Sequence, residues 1–536
     1  MSKEAQTDVK LEDIVSLAKR RGFIYQGSEV YGGLAGTWDY GPLGVQLKRN
    51  IMNLWWKTFV EDRDDMYGVD AAILMNQKVW QASGHAATFT DPLVDCGVCK
   101  NRFRVDHLIP EINKYSAYLD KVEHELKIEE SNFNKYLVQK NDELGDMSEL
   151  LNTNVPQYLD FHKFDEAVEN KSIETNRAIQ ERNALNQRRL ELQMARHLSG
   201  LVVQTYFNTY IKCPVCGSNQ WGVPRQFNMM FATNAGPVMD ADSVVYLRPE
   251  TAQGIFTNFK NIVDSFYPDL PFGLAQQGKA FRNEISPRDF VFRSREFEQM
   301  EIEYFINEKD WEKEFEKWVK DIESFLNEIG LPSDRVHKLE VPDNDRAHYS
   351  KRTIDFEFGF PIGKEELLGL AYRTDFDLMN IQKASGKSME YRPKDGSEPF
   401  VPHVIEPSFG VERMVMAVLS SAYTEDEVNG EKRSYLKLPA HLAPVKVAVS
   451  PLLKNKPELV AKAKEVYNML KKEYGNVMWD DNGNIGKRYR RQDEIGTPYC
   501  ITIDFDTLED NTVTVRHRDT TKQDRVELET LLKKLS

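Results

Sequence analysis

From Phe297 to Tyr304 the residues alternate in character. Met300, Ile302 and Tyr304 fall on one face of an extended chain, and Phe297, Gln299, Glu301 and Glu303 on the other. Period two specifies a strand with two unlike faces. Upstream, Phe281-Arg282-Asn283-Glu284 reads as a second strand, joined to the first by a short polar loop around Pro287 and Asp289. Arg282 and Glu284 are two apart on that strand and so share a face, a guanidinium able to clamp phosphate beside a carboxylate able to accept from an amine. From the pattern alone, the acidic face reads as the wet side of a sheet covered by helices on its other side, but Arg282 beside Glu284 tips the reading toward a face on which phosphate and purine could be read together.

At 536 residues the chain has room for two or three domains around this hairpin. Residues 225–436 show short apolar runs that alternate with polar ones, as expected of an antiparallel sheet flanked by helices. Residues 1–95 supply the first part of the same domain. There the glycine-rich turn Tyr31-Gly32-Gly33 is followed by Pro42 and Gly44 and then by a helix from Val45 to Val60, with Leu47, Ile51, Leu54, Trp55 and Phe59 at helical spacing. Residues 96–224 form an insertion. Between Pro110 and about Tyr210 it turns to Glu, Lys, Asn, Gln and Leu with only two glycines and two prolines, which reads as helical with solvated faces. Residues 437–536 read as a separate α/β domain: a strand at Val445–Val449, a helix at Pro457–Tyr474, strands at Tyr499–Phe505 and Thr512–Arg516, and a closing helix. The fold class is α/β (α+β).

A net charge of −14 repels nucleic-acid phosphates at long range, so a selective binder must gather its basic residues locally. Lys487, Arg488, Arg490 and Arg491 form such a cluster, which is either a solvated face or a phosphate contact. No stretch approaches the roughly 18 apolar residues of a membrane helix, and the polar opening segment leads us to expect a cytosolic chain. Disulfides are then not expected among the five cysteines, of which Cys500 sits in an apolar, strand-like run. The pairs Cys96/Cys99 and Cys213/Cys216 have the knuckle spacing of a four-cysteine zinc site. They meet only if the insertion loops out and returns, and are otherwise two separate pairs of reduced thiols.

The hairpin that opens on Phe-Arg-Asn-Glu resembles motif 2 of the class II aminoacyl-tRNA synthetases. Ile405-Glu406-Pro407-Ser408-Phe409-Gly410-Val411-Glu412-Arg413 is similar to their motif 3, and Tyr40-Gly41-Pro42-Leu43-Gly44 with the helix after it to motif 1, which in that family contributes to a dimer interface. Arg248-Pro249-Glu250-Thr251-Ala252-Gln253-Gly254, Phe297-Glu298-Gln299-Met300-Glu301 and Glu406-Pro407-Ser408 look most like the dimeric glycyl-tRNA synthetases, over nearly the whole chain outside the insertion.

The resemblance implies an ATP site made of Arg282, Asn283 and Glu284, the strand entry Phe292, Arg293, Ser294, Arg295, Glu296 and Phe297, the pair Glu366 and Leu367, and the turn Gly410, Val411, Glu412 and Arg413. In it Arg282 takes the α-phosphate, Glu284 the adenine amine, Phe297 the adenine face and Arg413 the γ-phosphate, with Glu366 near the ATP-bound Mg²⁺. Around glycine it implies Arg104, Glu250, Glu301, Glu406 and Ser408, on the strings Phe297, Glu298, Gln299, Met300, Glu301 and Glu406, Pro407, Ser408, Phe409, Gly410, with Arg373 a neighbour. Arg104 would hold the substrate carboxylate. Three carboxylates in one buried pocket need a cation, and the substrate ammonium is the natural one.

An amino acid's carboxylate is already ionised, so attack on the α-phosphorus needs no general base, and positioning and electrostatics by Arg282 and Arg413 dominate. His85 therefore receives no role. The expected partners are ATP, glycine, tRNA(Gly) and a second copy of the chain, with structural zinc at the four cysteines. The C-terminal domain is similar to an anticodon-binding domain, whose phosphate contacts would fall at Lys487 to Arg491. The alternatives are a class II synthetase for alanine, serine or proline, or a non-catalytic nucleic-acid-binding relative.

Overall fold

The computed structural model describes residues 9–108, 127–129, 131–132, 135, 184–185, 204, 207–209 and 211–535, except 238–242, 286, 344–345, 348 and 429. The helical reading of the stretch from Pro110 to about Tyr210 therefore lies almost wholly outside the described residues. The chain divides into two compact units, Met1–Phe89 with Met229–Ser536, and Thr90–Asn228.

The first unit is built on a seven-stranded sheet, whose strands we label β1 (Met66–Gly68), β2 (Phe272–Phe281), β3 (Glu296–Ile306), β4 (Val336–Glu340), β5 (Arg352–Phe360), β6 (Gly363–Thr374) and β7 (His403–Gly410). Their spatial order is β4-β5-β6-β7-β3-β2-β1. All neighbours run antiparallel except β1 and β2.

One face of this sheet carries the main core. The helix α1 (Pro42–Trp56) opens with Pro42 in its first turn, where a missing N–H costs nothing, and buries Gly44, Leu47, Ile51 and Trp55. A side chain at Gly44 would place its Cβ 1.8 Å from the Phe23 carbonyl oxygen, so only glycine allows this approach. The chain then tightens into a π-helical turn, Lys57–Glu61, that carries Phe59 and Val60 inward. Phe59 stacks on Trp318 of the helix α2 (Trp311–Glu328) and meets Phe409 of β7, while Tyr304 of β3 packs edge-on to Trp318. Met300 and Ile302 lie in the same cluster. Each such buried side chain contributes roughly 1.5–3 kcal/mol.

The opposite face departs from the sequence reading. Gln299, Glu301 and Glu303 do alternate with the core residues, but they are only 6%, 2% and 0% exposed. Helices cover this side too: Phe256 and Phe259 of the helix Ala252–Phe266 pack on Phe305 and Phe272, and Leu378 of the helix Phe376–Ser385 joins them. Alternation shows that two faces differ and does not show that either is wet. A second correction concerns the hairpin. β2 ends at Phe281, and although the Arg282 N–H still donates to Arg295, that of Asn283 donates to Met229 and that of Glu284 turns back to Arg282 at 2.7 Å. The chain has left the ladder by then, so Arg282 and Glu284 do not share a strand face.

The C-terminal part of this unit has a five-stranded sheet in the order Val477–Trp479, Val447–Pro451, Tyr499–Ile503, Thr512–His517, Gln523–Glu527. The first two pairings are parallel and the rest antiparallel. The helix Pro457–Tyr474 seals it with Leu459, Ala463, Val466 and Leu470, and Cys500 is buried. It is tied to the hairpin Tyr423–Val428/Glu431–Leu436 through Arg433, which meets Asp493 at 3.0 Å, while Arg516 donates twice to the same carboxylate.

In the second unit the strands Thr90–Asp95, Arg102–Arg104 and Arg225–Asn228 form an antiparallel sheet beside a small core of Val94, Cys96, Val105, Phe207, Cys213 and Trp221. Among the described residues no helix is long and apolar enough to cross a membrane.

Candidate active site

A pocket of about 290 Å³ lies over β3, β5, β6 and β7, with Glu250, Arg282, Glu301, Asp355, Glu406 and Ser408 in its walls. Register assembles it. Glu301 stands opposite Ser408, and Ala371 opposite Glu406, so period two along β3 and β7 presents Gln299, Glu301, Glu406 and Ser408 on one face. Glu250 arrives on the segment ahead of the helix Ala252–Phe266. Buried Arg248 anchors that segment by donating to the carbonyls of Lys279 at 2.7 Å and Ala71 at 2.8 Å. The Thr251 hydroxyl donates to Glu301 Oε2. Ser408 Oγ and the Gln299 amide donate to Glu301 Oε1 at 2.7 and 3.2 Å, which leaves that carboxyl little freedom to turn.

The electrostatics are those of an acid-rich site short of cations. Glu250, Glu301, Glu303, Asp377 and Glu406 gather around one buried guanidinium, Arg373, which grips Asp377 through Nε and Nη2 and Glu406 through Nη1. Burial pushes Glu406 up to about 8, with Glu301 and Glu250 adding to the rise and Arg373 opposing it. Glu301 is raised by burial and then by Glu250. Glu303 stands well above the usual range through burial and Glu406, and neither of its oxygens has a hydrogen-bond partner. Glu250 goes the other way. Burial would raise it, but the charges of His85, Arg373 and Arg282 outweigh burial and hold it down to about 2. One firmly ionised carboxylate and three that resist ionising would all gain from a small cation.

Two further arginines are those that the sequence reading expects at phosphate. Arg282 donates from Nε to the Pro249 carbonyl at 3.1 Å and lies between the rings of Phe89 and Phe297. Arg413, in the first turn of the helix Val411–Ala422, lies over Phe292 and meets Glu366 both at the carboxylate (3.0 Å) and at the carbonyl (2.9 Å). Asp355 is pushed up to about 6 by burial, then by Glu366 and Glu357, so carboxylates crowd here as well. Glu284 has one buried oxygen without a hydrogen-bond partner. Arg295 braces the turn, donating to the Glu284 and Ala35 carbonyls, while Ser294 donates to Val291 and Arg293 bridges to Arg288.

Several expected contacts fall elsewhere. Glu298 and Met300 project from the other face of β3, Met300 into the core and Glu298 onto Lys48 of α1 at 2.8 Å. Glu412 accepts from the Glu298 N–H at 2.8 Å, and burial raises it to about 7, so it braces a helix against β3. Phe409, Val411, Leu367 and Phe292 are core residues, Pro407 alternates with the pocket residues of β7, and Glu296 pairs with Lys279. A motif written as a continuous string spans both faces of a strand, and only alternate side chains reach one site. Arg104 belongs to the second unit, where it pairs with Asp91. Of the basic cluster, buried Arg488 donates to the carbonyls of Pro451, Asp481 and Gly483, Arg490 to Lys432 and Glu431, and Arg491 to Asp480. Lys487 is exposed and Arg490 keeps 42% of its side chain exposed, while Arg488 is buried.

Residues beyond the sequence reading also line the pocket, among them Arg346, Tyr349, Thr353 and Asp355. None carries a local signal, since each comes from a loop or strand that only the sheet order brings near. In the second unit the sulfurs of Cys96, Cys99, Cys213 and Cys216 lie within 4.8 Å of one another, with Cys96–Cys216 and Cys99–Cys213 at 3.6 Å. A tetrahedron of zinc–sulfur bonds needs sulfurs about 3.8 Å apart, and the four fit it. Hydrogen bonds from Asn101 pull Cys99 down to about 6, while the neighbouring cysteines push Cys216 up to about 11, so without a cation the cluster favours a thiolate at one sulfur at the expense of another.

Residues 231–422 match the family model of the class II tRNA synthetase core domain (G, H, P, S and T), and residues 446–536 that of the anticodon binding domain. The glycine–tRNA ligase of Clostridium tetani is 43% identical over 98% of each chain. That of Thermus thermophilus is 42% identical over 97% of each. A Giardia lamblia prolyl-tRNA synthetase in complex with prolyl-adenylate is similar in fold, with a TM-score of 0.56 over 97% of this chain and 76% of that one, at 13% identity.

Proposed function

Because the chain belongs to the glycine–tRNA ligases, class II aminoacyl-tRNA synthetases that use ATP to attach glycine to tRNA, we propose that its pocket receives the glycine ammonium between Glu250, Glu301 and Glu406. The observation that carries this reading is the imbalance of charge: five carboxyls surround Arg373, and burial together with the neighbouring carboxylates holds Glu301 and Glu406 above their ordinary pKa. An ammonium there lets both ionise. Selection against larger amino acids rests on rigidity, since Glu301 is fixed through both oxygens by Thr251, Ser408 and Gln299 and cannot yield to a side chain.

On this reading the glycine carboxylate oxygen attacks the α-phosphorus of ATP and pyrophosphate leaves. Arg282 neutralises charge on the α-phosphoryl oxygens, and its swing toward the phosphate frees the Phe297 ring for adenine. Arg413 exchanges its bond to Glu366 for the γ-phosphate. Glu366 and Asp355 would hold Mg²⁺, whose chemistry is to screen phosphate charge, and the crowding that raises Asp355 suits a cation there. The hydroxyl at the tRNA terminus then attacks the glycyl carbonyl and AMP leaves.

The remaining parts extend the proposal. The four cysteines bind one structural zinc with no open position. The loop before α1 exposes Val30 (87%), Tyr31 (91%) and Leu34 (55%), an apolar surface that suits a second copy of the chain. Residues 446–536 contact tRNA, and the enzyme works in the cytoplasm. ATP–pyrophosphate exchange measured with glycine, alanine, serine and proline in turn tests the substrate. Exchange with glycine alone is expected, and exchange only with another of the four overturns the reading.

A further inference from the structure

The chemistry requires no base, yet a histidine stands against the most strongly ionised acid of the pocket. His85 opens the short helix His85–Thr88 and is held on every side. Its ring lies edge-on to Trp80, with centroids 5.6 Å apart, and against Phe89 at 5.4 Å. Nδ1 is 2.8 Å from Ser83 Oγ, and Nε2 is 3.3 Å from Glu250 Oε2. Among the described residues the other oxygen of Glu250 is hydrogen-bonded by the Gln253 amide, at a long 3.4 Å. The imidazole is therefore the main restraint on the rotamer of Glu250, and Ser83 fixes the imidazole in turn.

We infer that His85 is a positioning residue for glycine, holding the Glu250 carboxylate toward the substrate ammonium and weakening glycine binding whenever the imidazole is protonated. The inference rests on the reading of Glu250 as an acceptor for that ammonium. With the ring neutral, the Ser83 hydroxyl donates to Nδ1 and Nε2–H donates to Glu250, whose negative charge stays available. With the ring protonated, an imidazolium neutralises Glu250 and repels the incoming cation. Proton and glycine therefore oppose each other, each lowering the affinity for the other by the same factor.

The charged groups that face the ring are Glu250, Arg373 and Arg282. Burial and the two arginines lower its pKa, and Glu250 more than offsets them, so the proton is held more tightly than on a free histidine. The antagonism follows the titration of this imidazole. Glu406, pushed up to about 8, also titrates within the span of the test, but it does so whether or not His85 is present.

The test is glycine and ATP KM and kcat by pyrophosphate exchange over about pH 6 to 9, the span in which the imidazole changes charge, for the wild type, His85→Ala, His85→Gln and Glu250→Gln. His85→Ala is expected to raise the glycine KM about tenfold, the loss of one hydrogen bond to a charged group, with ATP KM and kcat little changed. His85→Gln keeps a donor that cannot be protonated. It is expected to restore most of the affinity at the alkaline end and to lack the extra rise in glycine KM that the wild type shows toward acid. A pH profile in His85→Gln identical to the wild type overturns the inference, as does a loss shared equally by kcat and both KM values. Should His85→Ala not fold, the His85→Gln profile decides alone. If Glu250→Gln leaves the glycine KM unchanged, the reading of the pocket itself fails. If Glu250→Gln raises it and His85→Ala does not, only the role of His85 is lost.

Discussion

Arg373 Nη1 lies 3.1 and 2.9 Å from the two oxygens of Glu406, while the rest of the same guanidinium grips Asp377 at 2.8 and 3.0 Å. All three side chains are buried, so the guanidinium is what makes two buried carboxylates tolerable. Arg373→Gln should lower the unfolding free energy by about 3–5 kcal/mol, the effect of leaving buried charges unpaired. It should also raise the glycine KM, because Glu406 loses its orientation. Denaturant unfolding and exchange kinetics on the same preparation check both.

Glu406 also predicts a slope of stability with pH. Its carboxyl, held at about 8 by burial, binds a proton more tightly in the folded than in the unfolded chain. Its contribution is therefore complete below the ordinary carboxyl range and is lost as pH rises through about 8. Glu250, held at about 2, does the reverse, contributing above the ordinary range and losing that contribution as pH falls toward 2. Unfolding free energy measured from weakly acid to weakly alkaline pH should fall, and Glu406→Gln should flatten that fall.

Arg282→Ala should reduce pyrophosphate exchange by about 10²–10³-fold, the usual loss when a preorganised donor to developing charge is removed. The fold should survive. The one side-chain hydrogen bond given up is to the Pro249 carbonyl, worth about 1 kcal/mol. Near-normal exchange by the folded variant would remove Arg282 from the mechanism.

Purified protein should carry one zinc per chain. Cys213→Ser should lose it and melt earlier, since Cys213 is buried in the small core beside Phe207 and Trp221. Metal analysis and a thermal melt on the same sample test this, and zinc-free wild-type protein of unchanged stability would refute it.

How far these features were legible in the sequence depended on the range of the interaction that made them. The helix Pro457–Tyr474 was readable to its ends because its apolar spacing and its terminal proline and glycine are local. The two faces of β3 were readable as well, but their burial was not, because the helices that cover Glu301 and Glu303 come from residues 252–266 and 376–385. Extrapolating a strand through Arg282 to Glu284 failed because one N–H, that of Asn283, found Met229 instead of β3. Reading Phe297 to Glu301 as one contact string failed for Glu298 and Met300, since the pleat sends alternate residues to opposite sides. His85 and Arg373 needed coordinates, for what distinguishes each is a carboxylate more than thirty residues away in the chain. The arginines among residues 488–491 could be read from the sequence as a solvated face or a phosphate contact, and composition does not show which carbonyls and acids engage them.

The cysteine cluster has a consequence for what this chain tolerates. Cys99 and Cys213 are separated by 113 intervening residues, yet their sulfurs lie 3.6 Å apart, so the polypeptide leaves and re-enters at one point. Between the core residues Val105 and Phe207 the chain can be lengthened or shortened at a cost that grows only as the logarithm of loop length. The cluster is in that sense a splice site in the polypeptide, a place where a foreign domain could be grafted while the catalytic sheet keeps its register.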